Sequence, residues 1–398
     1  MIVGWVLLTA VGLFSKRPVF RRYILRASYI LLLLFCIEFA CVMAFYVKNR
    51  RWTFSDERSY LSQLFEAHPY LVAVPRKNAH VSYRNISYTH NSNGFRGPEI
   101  PAKSERLRIV AVGGSTTYGG SVTDGSEWPA QLGVLLGSRF EVLNFGMLGH
   151  STAEHIALVS MIVPEYRPDI VLIHAGFNDL RNMHVSELAP DYSNYHAPTL
   201  YASFNLCTDN PVQRFASGKL AIFLLQKARL YPACAFSRPF PQADRSPEGE
   251  NYALSLYRRN LETLIAITRA QGLKPVLVPQ VLVRETVVGD RLRWWIPYVN
   301  DEELVEYLDR YNKVTEEVAR KHGLYFAGEV LKQNWAKGDF ADASHLNAGG
   351  SRKFAEVIRD VIQNLKEEQY QAEPERDQAG IVHGMEKRSG SQVVKGKI

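Results

Sequence analysis

Five short runs rich in valine and isoleucine recur along the chain: RIVAVGG (108–114), EVLNFG (141–146), DIVLIHAG (169–176), KPVLVPQV (274–281) and LYFAGEV (324–330). Their hydrophobicity is nearly continuous, as expected of strands covered on both faces. Amphipathic stretches near 126–137, 151–164, 251–271, 301–322 and from Asn347 to about Lys366 fall between or after them. Strand–helix alternation of this kind calls for parallel strands joined by right-handed helical crossovers. The expected fold class is therefore α/β, a three-layer sandwich around a five-stranded parallel sheet, flavodoxin-like in outline.

Upstream of this pattern, Ala27–Val47 is 21 residues long with one ionisable side chain, Glu38. Such a run is long enough to cross a hydrocarbon core of about 30 Å. A carboxylate at its middle is costly unless protonated or paired. A neutral carboxyl facing a partner helix is the expectation, ahead of a proton relay. Met1–Phe14 is also apolar, but 14 residues of helix reach only about 21 Å. It suits a short first crossing or a helix lying at the interface. Residues 1–49 are thus expected to form a membrane anchor, single- or double-pass.

Charge agrees with that division. Residues 1–52 hold eight bases against the single acid Glu38, so the whole formal charge of +7 resides there and the remainder is neutral. A nucleic-acid partner gains no support from such a distribution. Five bases precede Ala27 and three follow Val47, which places the loop at 15–26 in the cytoplasm and the residues after 50 outside. Cys36 and Cys41 lie within the apolar run. Cys207 and Cys234 lie beyond it, and an extracytoplasmic location permits a disulfide between them without requiring one. Residues 50–105 read as an N-terminal extension and 106–368 as the main domain, with an insertion at 180–250. The tail 369–398 lacks apolar periodicity and reads as disordered.

Four short motifs each follow an expected strand: Gly113-Gly114-Ser115-Thr116-Thr117, Asn144 to Thr152, Gly176-Phe177-Asn178-Asp179 and Asp342-Ala343-Ser344-His345. Parallel strands deliver their C-terminal ends to one rim of the sheet, so all four motifs can converge there. A serine hydroxyl needs a base to take its proton, and His345 can serve. A carboxylate such as Asp342 fixes the imidazole tautomer and stabilises its charged form. The backbone N–H groups of Ser115 and Gly149 and the Asn178 amide are suitable donors to a developing oxyanion. Together these residue types suffice for acyl transfer.

The same residues carry a family resemblance. The chain resembles the SGNH (GDSL-like) hydrolases, named for Ser, Gly, Asn and His in four separated blocks. Ser115 matches the nucleophile, Gly149 and Asn178 match the oxyanion-hole pair, and Asp342 and His345 match the DxxH pair. The resemblance covers roughly residues 90–365, and Asn91-Ser92-Asn93-Gly94-Phe95-Arg96-Gly97 looks like a lead-in of membrane-tethered members. The first block reads Gly-Gly-Ser where many members have Gly-Asp-Ser. The resemblance implies the SGNH hydrolase fold and an anchored, extracytoplasmic serine esterase. Such an enzyme works through an acyl-serine intermediate, without cofactor or metal, on an ester of an envelope glycan or lipid.

Other readings compete less well. Gly113-Gly114 followed by Gly119-Gly120 lacks the Gly-Lys-Ser/Thr of a phosphate loop. Asp339, Asp342 and His345 lack further ligands at metal-binding spacing. His150 and His174 adjoin the motifs as packing or substrate-contact residues. Trp294 and Trp295 suit either stacking on a sugar or lipid substrate or packing within the domain. An O-acyltransferase acting on an envelope glycan is the alternative function, and an inactive envelope scaffold a further one. With at most two membrane helices, the chain lacks a multi-span module to carry an acyl donor across, which favours the esterase. Oligomeric state stays open.

Overall fold

The computed structural model describes residues 2–49, 58–204, 212, 215–227, 243–284, 296 and 298–365. They fall into two compact units. One comprises Met1–Arg84, Tyr88–Gly94 and His184–Ala253; the other comprises Asn85–Ser87, Phe95–Met183 and Leu254–Ile398.

The first unit begins with helices α1 (Ile2–Phe14) and α2 (Pro18–Asn49). A proline is tolerated at the start of α2, where its missing N–H has no partner to lose. The two helices pack as a hairpin, with Thr9 and Ser28 hydroxyls 2.5 Å apart. A side chain at Gly12 would meet Leu25 Cδ2 at 2.8 Å, so the glycine permits this close approach. Helix α2 is long and apolar enough to cross a membrane, by length and composition. Beyond it lie α3 (Arg58–Leu64) and four short strands, β1 (Phe65–His68), β2 (Val72–Pro75), β3 (His80–Tyr83) and β4 (Ile86–Thr89). They make two pairs, β1 antiparallel with β2, and β3 with β4.

The second unit is the α/β sandwich. Strand β5 (Leu107–Gly113) leads to the short helix α4 (Ser115–Tyr118) and then to α5 (Trp128–Leu136). Next come β6 (Phe140–Gly146), α6 (Thr152–Met161), β7 (Ile170–His174) and α7 (Phe177–Leu180). A capping box sets the start of α6: the Ser151 hydroxyl accepts the Ala153 N–H while Glu154 accepts the Ser151 N–H. The insertion that follows, with α8 (His196–Ser203) and α9 (Ala216–Lys227), belongs to the first unit. The chain returns through α10 (Pro247–Ala270), β8 (Lys274–Val278), α11 (Asp301–Lys321) and α12 (348–365).

The parallel sheet has the order β6-β5-β7-β8. Its register brings Gly113 beside Gly146 and His174, and His174 beside Val278, so all four strands stop at one level. That common rim is where the motifs emerge. On one face Ile109, Ala111, Leu172 and Val276 pack with Trp128 and Phe354. Val110, Val112, Val171 and Leu277, which alternate with them, are equally buried. Each such side chain contributes roughly 1.5–3 kcal/mol.

The sheet has four strands where five were expected. The run at 324–330 makes a single parallel bridge, Leu277 to Phe326. Two backbone bonds hold it, Leu277 N–H to the Tyr325 carbonyl at 3.1 Å and Ala327 N–H to the Leu277 carbonyl at 2.9 Å. The chain then turns into a 3-10 helix (Gly328–Lys332), which buries Val330 in the core. At the opposite edge, Arg96 bridges Asn144 and the Phe95 ring stacks on Phe145 with centroids 3.6 Å apart. These contacts cover part of an edge that would otherwise expose open backbone groups.

Candidate active site

Two residues past the end of β5, Ser115 opens α4. The Gly114 carbonyl accepts the Thr117 and Tyr118 N–H groups at 3.1 and 3.0 Å, closing this tight turn. A Cβ at Gly114 would meet the Asn178 amide nitrogen at 2.5 Å. The serine turn and the Asn178 amide thus lie in close contact across Gly114.

The far end of α4 is held by Arg96, whose side chain is fully buried. Its guanidinium donates to the carbonyls of Tyr118 (3.0 Å), Gly119 (2.5 Å), Val122 (2.7 Å) and Ser87 (3.1 Å), and pairs with Asp124 at 3.1 Å. Five directed donors on a rigid fork suit this role. Sequence reading placed Arg96 only within a lead-in motif. The signal for its role was the arginine between Gly94 and Gly97; three of its target carbonyls lie more than 20 residues downstream and the fourth, Ser87, nine residues upstream.

After β6, the Met147 N–H returns to the Gly113 carbonyl at 3.0 Å, tying this loop to the serine turn. Gly149 has φ +78, a left-handed conformation that side-chain-bearing residues rarely adopt. Past β7, the Asn178 amide donates to the His150 carbonyl at 2.8 Å, which fixes its orientation. The buried Asp179 carboxylate accepts from the Thr152 N–H and hydroxyl, and so joins this loop to the start of α6.

The last motif is a tight loop held between bridged residues Phe340 and Leu346. The Asp342 carboxylate accepts the backbone N–H groups of Ser344 and His345, both at 2.9 Å. It lies 2.8 and 2.9 Å from His345 Nδ1, and His345 Nε2 lies 2.7 Å from Ser115 Oγ. Burial alone would raise the Asp342 carboxyl. The charge and hydrogen bond of His345, with the two backbone donors, outweigh it and hold the group well below the usual carboxylate range. Burial alone would likewise lower the His345 imidazole, but the Asp342 charge and hydrogen bond raise it above its ordinary value. A hydroxyl, a basic imidazole and an ionised carboxylate in this order can generate a nucleophile.

His174 behaves differently. Burial first, and His155 second, push its imidazole down to about 3, so it stays neutral. Its Nδ1 lies 2.9 Å from the Thr117 hydroxyl, and its ring packs edge-on against Trp128. Gln280, two residues beyond β8, was not singled out by sequence; only its position at a strand end marked it. Its amide donates to the His174 carbonyl at 3.1 Å, and its own backbone N–H is held by Asn312 of α11 at 3.0 Å. Ser115, Thr116, His150, Phe177, Asn178 and Gln280 line a cavity of about 10 Å³ beside the serine. Asp339, weighed as a metal ligand, is paired with Lys353 at 2.8 Å. Trp294, Trp295, Cys207 and Cys234 lie outside the described residues.

A parallel α/β sheet with this relay at its C-terminal rim defines the chain as a carboxylic ester hydrolase. Residues 111–353 match the model of the GDSL-like Lipase/Acylhydrolase family, and the chain belongs to that family. Three solved structures illustrate the likeness. A lipolytic protein of the G-D-S-L family from Desulfitobacterium hafniense is 13% identical, covering 64% of this chain and 99% of its own, with a TM-score of 0.38. The lipase/acylhydrolase from Enterococcus faecalis is 17% identical, with coverage of 65% and 96% and a TM-score of 0.38. A catalytic mutant of the acetylxylan esterase Axe2 from Geobacillus stearothermophilus is 17% identical, with coverage of 65% and 94% and a TM-score of 0.36. No curated protein matches the chain.

Proposed function

We propose that this chain is a membrane-anchored serine esterase whose hydrolase domain faces outward from the cytoplasm and removes short acyl groups, acetyl foremost, from an envelope glycan or lipid. The observation that carries the chemistry is the 2.7 Å contact between Ser115 Oγ and His345 Nε2, backed by Asp342. Ser115 Oγ attacks the ester carbonyl as His345 Nε2 takes its proton. The oxyanion is met by the Ser115 and Gly149 N–H groups and the Asn178 amide. His345 then gives its proton to the departing alcohol, leaving an acyl-Ser115 ester. Water, deprotonated by the same imidazole, attacks that ester, and collapse releases the acid and restores the serine hydroxyl.

The small cavity supports the choice of acyl group. About 10 Å³ accommodates roughly one water-sized group. That suits the methyl of an acetyl ester.

The test is a panel of 4-nitrophenyl esters given to the full-length protein in detergent micelles. Acetate should be turned over well and octanoate poorly, and Ser115→Ala should lower kcat by at least about 10³-fold. Equal rates from the alanine variant would sink the assignment. Faster turnover of octanoate would sink the acetyl preference alone.

A further inference from the structure

Glu38 is the one acid in the apolar span, nine residues before Val47, about 14 Å along a helix from the end of that span. Its carboxylate is met by three donors, all from the first turn of α9. Ala216 N–H reaches Oε1 at 2.5 Å; Ser217 N–H and hydroxyl reach Oε2 at 2.9 and 2.6 Å. The first N–H groups of a helix have no partner within it, and a carboxylate is their best external acceptor. Glu38 therefore caps a 12-residue helix from a segment 178 residues away.

Beyond its first turn, α9 is almost wholly apolar. In ASGKLAIFLLQK the only charges are Lys219 and the terminal Lys227. Leu224 and Leu225 are 53% and 40% exposed, and Val212 and Phe215, just before the helix, about half exposed. The anchor helix shows the same outward character at Leu33, Leu34 and Phe39. Val212, Phe215, Ser217, Gly218 and Ala221 also line an open, mostly apolar concavity of about 450 Å³. In water such a surface is a liability; beside a membrane span it continues a lipid-facing one.

We propose that α9 is embedded in the bilayer, docked on the anchor helix with Glu38 as its N-cap, and that its outer face meets lipid acyl chains. The insertion at 180–250 then gives the protein a second membrane element besides the anchor. This rests on reading α2 as the membrane span.

The test places the photo-crosslinking residue benzoylphenylalanine at Leu224, at Leu33 as anchor control, and at Val134 of the hydrolase unit. Each full-length protein is reconstituted in phosphatidylethanolamine–phosphatidylglycerol vesicles and irradiated, and lipid adducts are identified by mass spectrometry. Adducts are expected at 33 and 224 and none at 134. Glu38→Ala should reduce the adduct at 224 several-fold and leave the one at 33 unchanged. Fluorophosphonate labelling of Ser115 checks that the hydrolase unit remains folded. Should Glu38→Ala fail that check, Ser217→Ala, which removes one of the three donors, should reduce the adduct at 224 in the same direction. Adducts at 33 but not at 224 would overturn the proposal and spare the anchor. Adducts at neither position would remove the anchor reading itself. An adduct at 224 that survives loss of the Glu38 carboxylate, or of the Ser217 hydroxyl where that variant decides, would overturn the capping role.

Discussion

At Asp342 and His345, burial and charge pull in opposite directions, and for both groups the mutual attraction wins. The imidazole must be neutral to take the serine proton, so its raised pKa sets the acid limb of the rate profile. For acetyl ester hydrolysis, kcat/KM should climb with pH and reach half its maximum above 6.5, the ordinary histidine value. Asp342→Asn removes what raises the imidazole, so this midpoint should move down, while kcat falls by about 10³- to 10⁴-fold. A pH–rate profile of both proteins checks both statements; an unmoved midpoint would contradict the assigned partnership. Stability should follow the same signs. The pair's contribution is lost as pH falls through the depressed Asp342 value, and lost again as pH rises through the raised His345 value. Between the ordinary values of 3.8 and 6.5 it is most fully present.

Among the elements, α4 shows how much positioning one short turn requires. It is too short to hold itself and depends on Arg96 for its last carbonyls. Arg96→Ala would leave Tyr118, Gly119, Val122 and Ser87 carbonyls without this donor, at a cost on the order of 3–5 kcal/mol. A drop in melting temperature together with lower kcat is expected. Arg96→Lys should recover part of the stability but less of the rate, because an ammonium cannot reach all four carbonyls as a fork does. Equal kcat for both variants and the parent would show that α4 needs no clamp. Little of this was legible in the sequence, since three of the arginine's four target carbonyls lie more than 20 residues away. The four sheet strands were legible, because both faces are buried and the runs are therefore continuous. The fifth was overextended: LYFAGEV has strand composition, yet the chain turns at Gly328 to bury Val330. Of the site, three motifs announced themselves by residue type and strand-end position, and the Asp342–His345 pair by residue type and spacing. Gln280 did not, because a lone glutamine after a proline carries no chemical signature.

On the scale of the whole molecule, base-rich flanks and an apolar α2 predict retention in the membrane. Alkaline carbonate washing should leave the protein in the pellet, and detergent should release it in active form. Recovery in the carbonate supernatant would count against the anchor. The neutral charge of everything beyond residue 52 predicts that high salt will not release it either.

The serine and the imidazole that touches it are separated by 230 positions. A growing chain therefore carries its hydroxyl long before its partner exists. At roughly 5–20 residues per second the interval is on the order of ten seconds to a minute. During synthesis the nascent protein should be chemically silent toward the esters around it. Any product ending before His345 is inert however well its first strands have formed. Competence arrives late and all at once, with the segment that carries the final helix.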